Sequence, residues 1–424
     1  MIIVMRFVID SSIVYSLTHS SPVIAMPKTS HVLISGAGPV GLVSALVLAT
    51  EGIQVTVVEA ATDLNHDLRA STFHPPTLDM LARYGLTDAL VAQGLVARYT
   101  QQRDRSEGVI AEFDMTLLTG LTDHPFRLQC EQWKLTEQIK ARLDALPHVR
   151  VLMGARVESV AQTGDRVEMT VSTEGESLRL EGDYLIGADG ARSVVRKSMD
   201  IDFEGYTYPE RFLVISTDHD FAADMPGLSY VNYCSDPEQW CVLLKVPSMW
   251  RVLFPTPIEP SDEECLSPAT AESLLQRLVP KAGEYHTFHR SLYKVHQRVA
   301  QRFRRGRVFL AGDAAHINNP LGGMGMNGGI HDAVNLCGKL LAVMRGEADD
   351  ASLDRYERQR RTIAIEYINA STARNKLEME ERDPVVRRRT QDALRATASN
   401  PETARAYLRK TSMLDALDRA AAIA

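Results

Sequence analysis

Apolar residues fall in short blocks along this chain, and the spacing within the blocks changes character from one region to the next. Positions 31–35 form an apolar run of strand length, 42–50 form an apolar run suited to a buried helix, and 54–58 form a second short run. Continuous apolar runs mark elements covered on both faces, as in a parallel α/β sheet. Between 149 and 182 the blocks at 156–161, 166–171 and 177–180 are separated by Thr163-Gly164-Asp165 and Thr173-Glu174-Gly175, which predicts an antiparallel meander. Strand-like runs at 212–217, 228–233, 239–245 and 250–254 predict an antiparallel sheet, with a turn-rich break at 255–260 and a helix over 269–278. From 375 onward the chain is charged and alanine-rich, which predicts a helical tail. The expected organisation is a leader at 1–29, an α/β domain in two parts at 30–202 and 291–372, an antiparallel-sheet domain at 203–290 between them, and the tail at 373–424. The leader is apolar over 1–17 but broken by Arg6 and Asp10; it reads as a disordered extension or an upstream start, with Met26 opening the ordinary chain.

Three glycine-bearing segments interrupt the apolar blocks where chemistry is expected. Gly36-Ala37-Gly38-Pro39-Val40-Gly41 lies between the first strand and the first helix. There Gly36 permits the tight turn, Gly38 admits a pyrophosphate to the backbone, Gly41 lets helix and strand pack closely, and the helix N-terminus favours the anion. The second strand ends in Glu59, 18 residues after Gly41, where a carboxylate can accept the hydrogen bonds of an adenosine ribose. The order strand, glycine turn, helix, strand, acid predicts a Rossmann-type dinucleotide-binding domain. The second segment is Ile186-Gly187-Ala188-Asp189-Gly190, at the end of another apolar strand. The third is Ala311-Gly312-Asp313-Ala314, continuing through Asn319-Pro320-Leu321-Gly322-Gly323-Met324-Gly325-Met326-Asn327. This loop opens a helix whose free N–H groups suit an electron-rich carbonyl above them.

Charge and cysteine content narrow the function classes. The 424 residues are 45% hydrophobic and 24% charged, enough for more than one core. A net charge of -7 with interspersed Lys and Arg provides no basic field for nucleic acid. Five cysteines without a C-x-x-C pair give neither a disulfide framework nor a metal site, in keeping with a reducing cytoplasm. No apolar run reaches the roughly 20 residues of a membrane helix, so no membrane association is expected.

The three glycine segments together resemble the dinucleotide fingerprint, DG motif and GD motif of the group A flavoprotein monooxygenases, the p-hydroxybenzoate hydroxylase-like family. Arg69-Ala70, Gln132-x-x-Leu135 and Leu353-x-x-Tyr356-Glu357-x-x-Arg360 resemble further stretches of that family. The resemblance implies FAD as cofactor, NADH or NADPH as a transient reductant, and O2 with a small phenolic or heteroaromatic substrate hydroxylated through a flavin C4a-hydroperoxide. It implies FAD contacts at Gly36, Gly38, Gly41, Glu59, Arg69, Gln132, Asp189, Asp313, Gly325, Met326 and Asn327, with Pro320 shaping the oxygen pocket. Many relatives have two prolines where this chain has Asn319-Pro320, so only Pro320 carries that role over. The candidates for substrate activation are His74, Tyr206, Tyr208, Tyr230, Tyr233, His296 and His316, of which His74, Tyr230 and Tyr233 are taken as pocket-lining. A halogenase, epoxidase or reductase on the same fold, or a flavin-binding protein without turnover, remains the alternative. The assembly is expected to be a monomer or homodimer.

Overall fold

The computed structural model describes residues 30–66 and 70–424, so the expectations for the 1–29 leader and for Arg69 lie outside the described residues. A six-stranded sheet forms the α/β domain. Its parallel strands run side by side in the order Val308–Leu310, Tyr184–Gly187, His31–Ser35, Gln54–Val58, Val149–Leu152, with Arg304–Arg305 antiparallel at one edge. Helix Pro39–Thr50 is buried on almost every side between this sheet and the long helix Met324–Met344, which accounts for its continuous apolar run. The predicted meander is present as Arg156–Thr163, Arg166–Thr173 and Glu176–Gly182, packed on the same core.

The second sheet has eight strands and differs from the expected 203–290 unit at both ends. Strands Tyr99–Asp104 and Gly108–Asp114, from within 30–202, extend it beyond Val231–Ser235 through a parallel pairing. At the other end, strand Thr287–Ala300 crosses the expected boundary at 290, and His316–Ile317 pairs with its final residues. The physical reason is the length of the central pair. Phe203–Thr217 and Thr287–Ala300 pair along nearly their whole extent, so one antiparallel ribbon begins over the α/β core and ends in the second sheet.

The tail is helical as expected, in segments Ala370–Met379, Pro384–Ser399, Pro401–Thr411 and Leu414–Ala421. It folds back over the molecule. Helix Pro401–Thr411 buries Ala404 and Leu408 against Phe113, Met115 and Leu118, while Tyr407 stacks on Phe113 with ring centroids 4.1 Å apart. Ala370–Met379 continues Asp354–Ile363 through a π-helical turn at Ala364–Asn369.

Candidate active site

The first glycine turn is shaped by close packing. Gly36 has φ +103, and a Cβ there would lie 2.4 Å from the Ala188 carbonyl oxygen of the DG segment. A Cβ on Gly41 would lie 1.9 Å from the Gly36 oxygen. At Gly38 the Cβ position has no neighbour within 4 Å, and the helix that follows has no side-chain cap. Glu59 stands at the end of the adjacent strand and accepts from Ala37 N–H at 2.8 Å and Ala61 N–H at 2.9 Å. Each carboxylate oxygen still has a lone pair for a further donor. Asp189 accepts from Val194 and Val195 N–H through Oδ2, while its buried Oδ1 has no protein partner. Burial pushes its carboxyl above the ordinary value despite these bonds.

The GD segment enters from strand Val308–Leu310 and is held from behind by three buried groups. Asp332, on the long helix, accepts from Gly312 N–H at 3.0 Å, pairs with His316 Nε2 at 2.8 Å and with Arg360 Nε at 2.6 Å. Burial raises the Asp332 carboxyl, but His316 and Arg360 outweigh it and hold it down to about 2. The motif that supplies Arg360 is thereby explained as a clamp. Tyr356 donates to the Leu310 carbonyl at 2.6 Å, and Glu357 accepts from Phe303 and Arg304 N–H. Asp313 is left exposed at the turn, one residue beyond the pinned Gly312.

Beyond Asp313 the loop reaches Pro320, exposed, whose carbonyl accepts from Gly323 N–H at 3.0 Å. Gly323 sits at φ +67 as the N-cap of the long helix and provides no side-chain cap. The first-turn N–H groups of Met324, Gly325 and Met326 therefore lack helical acceptors. The Asn327 side chain is consumed inside the protein: Oδ1 accepts from His74 N–H, and Nδ2 donates to Thr72 and Gly323 carbonyls. Its side chain therefore braces the loop, and the backbone N–H groups before it are the donors left without a helical acceptor. Asn319, fully buried, accepts from Leu321 N–H and faces Tyr208 Oη at 3.4 Å. The residue that departs from the two-proline pattern thus braces the loop through its side chain.

These features fit FAD. Two uncapped helix N-termini, an open approach at Gly38 and an unpartnered buried carboxylate oxygen at Asp189 are the donor and acceptor set that a dinucleotide and an isoalloxazine require. Gln132 opens helix Gln132–Asp144, half-buried, with its backbone N–H on the Ala70 carbonyl.

A cavity adjoins the loop at Gly322 and Met324. Its opposite walls are Gln102 and Arg103, Arg127, Tyr233, and the tail residues Asn375, Glu378, Gln391 and Tyr407. Of the substrate-activating candidates, Tyr233 lies here, with its hydroxyl accepting from Arg127 Nη1 at 3.1 Å. Tyr230 does not: it is 40% exposed, because it precedes strand Val231–Ser235 and stands outside the lining. His74 is fully buried behind the loop, with Nε2 donating to the Gly322 carbonyl at 2.8 Å and burial holding its pKa well below 6.5. It is a neutral brace of the loop rather than a wall of the cavity. His316 is committed to Asp332, and His296 pairs with Thr207 Oγ1. Arg127, Tyr407 and the tail walls were missed from sequence, since no motif marks them.

The comparisons with known proteins agree with this geometry. Residues 29–371 match the family model described as FAD binding domain. The chain is 34% identical over 388 residues to para-nitrophenol 4-monooxygenase of Pseudomonas sp. strain WBC-3, covering 90% of this chain and 95% of that protein. It is 34% identical over 353 residues to 6-hydroxy-3-succinoylpyridine 3-monooxygenase of Pseudomonas putida, covering 82% of this chain and 89% of that one. Among solved structures, p-nitrophenol 4-monooxygenase from Pseudomonas putida DLL-E4 superposes with a TM-score of 0.86 at 32% identity, covering 92% of this chain and 97% of that one. With its nucleotide groove, clamped GD loop and adjoining cavity, the chain belongs to the FAD-binding-domain family and is an FAD-dependent aromatic monooxygenase.

Proposed function

We propose that a small phenolic or related heteroaromatic compound is hydroxylated in the cavity between the 321–324 loop and the tail helices. The observation that carries this reading is the cavity's position, bounded on one side by Gly322 and Met324 of the flavin loop and on the other by Arg127, Tyr233 and Tyr407. Bound FAD supplies the redox chemistry: NAD(P)H and a proton reduce O2, one oxygen atom enters the ring, and the other leaves as water. The chain's own residues do the rest. Gly36, Gly38, Gly41 and Glu59 hold the adenosine and pyrophosphate end, and Asp189 and Asp313 hold the middle of the cofactor. The first-turn N–H groups of Met324, Gly325 and Met326 bind the pyrimidine edge, where negative charge grows on reduction. Gln132, at the start of its helix, is a further flavin contact. Pro320 and the backbone after it border the oxygen-reacting side and exclude water.

The reductant binds transiently in a groove near the flavin. A cytoplasmic enzyme working as a monomer or homodimer completes the reading; no helix among the described residues is long and apolar enough to cross a membrane, and all five cysteines are free and buried. Purified FAD-loaded protein tests the reading through oxidation of NADH and NADPH with a panel of phenols and hydroxypyridines, followed by product mass. A substrate-stimulated rate with a gain of one oxygen is the expected result. Stimulated oxidation that yields a halogenated product, or no oxygenated product with any ring compound, overturns it.

A further inference from the structure

The cavity carries a charge imbalance that its own walls do not resolve. Arg127 is 3% exposed and Arg103 is 6% exposed, and both line it. Arg127 donates from Nη1 to the Tyr233 hydroxyl and from Nη2 to the Thr411 carbonyl, both at 3.1 Å, and its buried Nε has no partner. Arg103 donates from Nη1 to Gln101 Oε1 at 2.7 Å, and its Nε is likewise buried without a partner. All of these acceptors are neutral. The third arginine, Arg387, is paired with Asp104. The one acid in the lining, Glu378, pairs with Arg374 of its own helix at 3.6 Å. Among the described residues, Arg127 and Arg103 therefore have no carboxylate within ion-pairing distance.

A guanidinium cannot shed its proton to escape burial, so a buried one without a counter-charge is costly to hold. Such a cost persists in a site when a ligand supplies the missing charge. We propose that Arg127, supported by Arg103, recognises an anionic oxygen on the aromatic substrate, a carboxylate or an ionised phenol. This inference rests on the reading of the cavity as the substrate site.

The geometry suits the role. The Arg127 guanidinium presents a planar fork of donors, the shape that discriminates oxyanions from neutral oxygens. The Tyr233 hydroxyl, which accepts from Arg127, has its own proton to donate onward. Tyr407 is pushed up to about 12 by burial, so it stays a protonated donor at neutral pH, and Gln102 Nε2 orients its hydroxyl from 3.2 Å. Because Arg127 also donates to Thr411, the same guanidinium ties the last long tail helix to the substrate pocket. The tail thereby becomes part of the specificity apparatus.

The test uses the full-length FAD-loaded protein and reads ligand binding from the flavin absorbance. The probes are 4-hydroxybenzoate, 4-nitrophenol at mildly alkaline pH where it is ionised, and neutral 4-hydroxybenzamide. The parent protein is expected to bind at least one of the two anions roughly tenfold or more tightly than the amide. Which anion is preferred decides between carboxylate and phenolate. In Arg127→Met the anion-over-amide ratio should fall to about one, and Arg127→Lys should retain part of it, since it keeps the charge but loses the fork. If the parent binds the amide as tightly as both anions, the proposal fails regardless of how the variants fold. If Arg127→Met weakens all three probes equally, the residue is structural and the proposal also fails. Either result leaves the monooxygenase reading standing as long as ring oxygenation is observed. Absence of any flavin perturbation together with absence of stimulated NAD(P)H oxidation removes both.

Discussion

Asp332→Asn is the sharpest test of how the flavin loop is built. The Asp332 carboxylate is fully buried and serves Gly312 N–H, His316 Nε2 and Arg360 Nε, while Arg360 is itself 1% exposed. An amide has one acceptor oxygen where the carboxylate has two, so the variant must direct its NH2 at either Arg360 or the Gly312 turn. Two routes give the magnitude. The carboxyl is held near 2 against an ordinary 3.8, which corresponds to about 2 kcal/mol in favour of the ionised form. Removing one partner of a buried ion pair costs about 3–5 kcal/mol, because the surviving cation is left uncompensated. The second figure is the better guide, since it includes the orphaned Arg360. Asp332→Asn should lower the unfolding free energy of the FAD-free protein by about 3 kcal/mol, and it should weaken FAD binding because the turn carrying Asp313 loses its anchor. Arg360→Met added to Asp332→Asn should cost much less than in the parent, since it removes a cation that no longer has its partner. The assays are urea unfolding of the single and double variants and equilibrium FAD titration. A cost under about 1 kcal/mol for Asp332→Asn, or full additivity in the double variant, would refute the clamp.

Asp313→Ala should lose a charge-assisted acceptor for the cofactor, typically about 1.5–3 kcal/mol, and so weaken FAD by roughly tenfold or more in titration; unchanged affinity would remove Asp313 from the cofactor site. Pro320→Gly should retain FAD but loosen the loop backbone, so the peroxide-to-product ratio rises while NAD(P)H is still consumed. Full coupling in that variant would show that Pro320 does not shape the reacting side. For His331, burial lowers the folded pKa to about 3 from 6.5. The sign follows: its contribution is complete above the unfolded value of 6.5 and declines as pH falls, because the unfolded chain takes up the proton first. At pH 5 the parent should have lost about 2 kcal/mol through this group. His331→Gln should therefore show a smaller drop in melting temperature between pH 7 and pH 5, and an equal drop would count against it.

What the sequence alone determined was local. The glycine turn at 36–41, the strand ends at Glu59 and Asp189, and the GD loop were legible because each needs a particular backbone at a particular place in a short strand-turn-helix unit, and Gly36 at φ +103 and Gly323 at φ +67 meet that need. The meander and the helical tail were legible from periodicity, which records which face of an element is covered but not what covers it. Only the tertiary structure joined strands Tyr99–Asp104 and Gly108–Asp114 to the second sheet and laid the tail across them. Arg127 illustrates the limit. Its partners are Tyr233 and the Thr411 carbonyl, the latter 284 residues away, and no local pattern of apolar and polar residues records such a pairing. The same holds for Tyr230 and Tyr233, three residues apart and equally plausible as text. The chain turns into strand Val231–Ser235 between them, so one ring stays at the surface while the other is buried against Arg127. Motifs that hold a cofactor by backbone geometry are written in consecutive residues, whereas a substrate cavity is the space left where distant segments meet, and only packing decides which side chains face it.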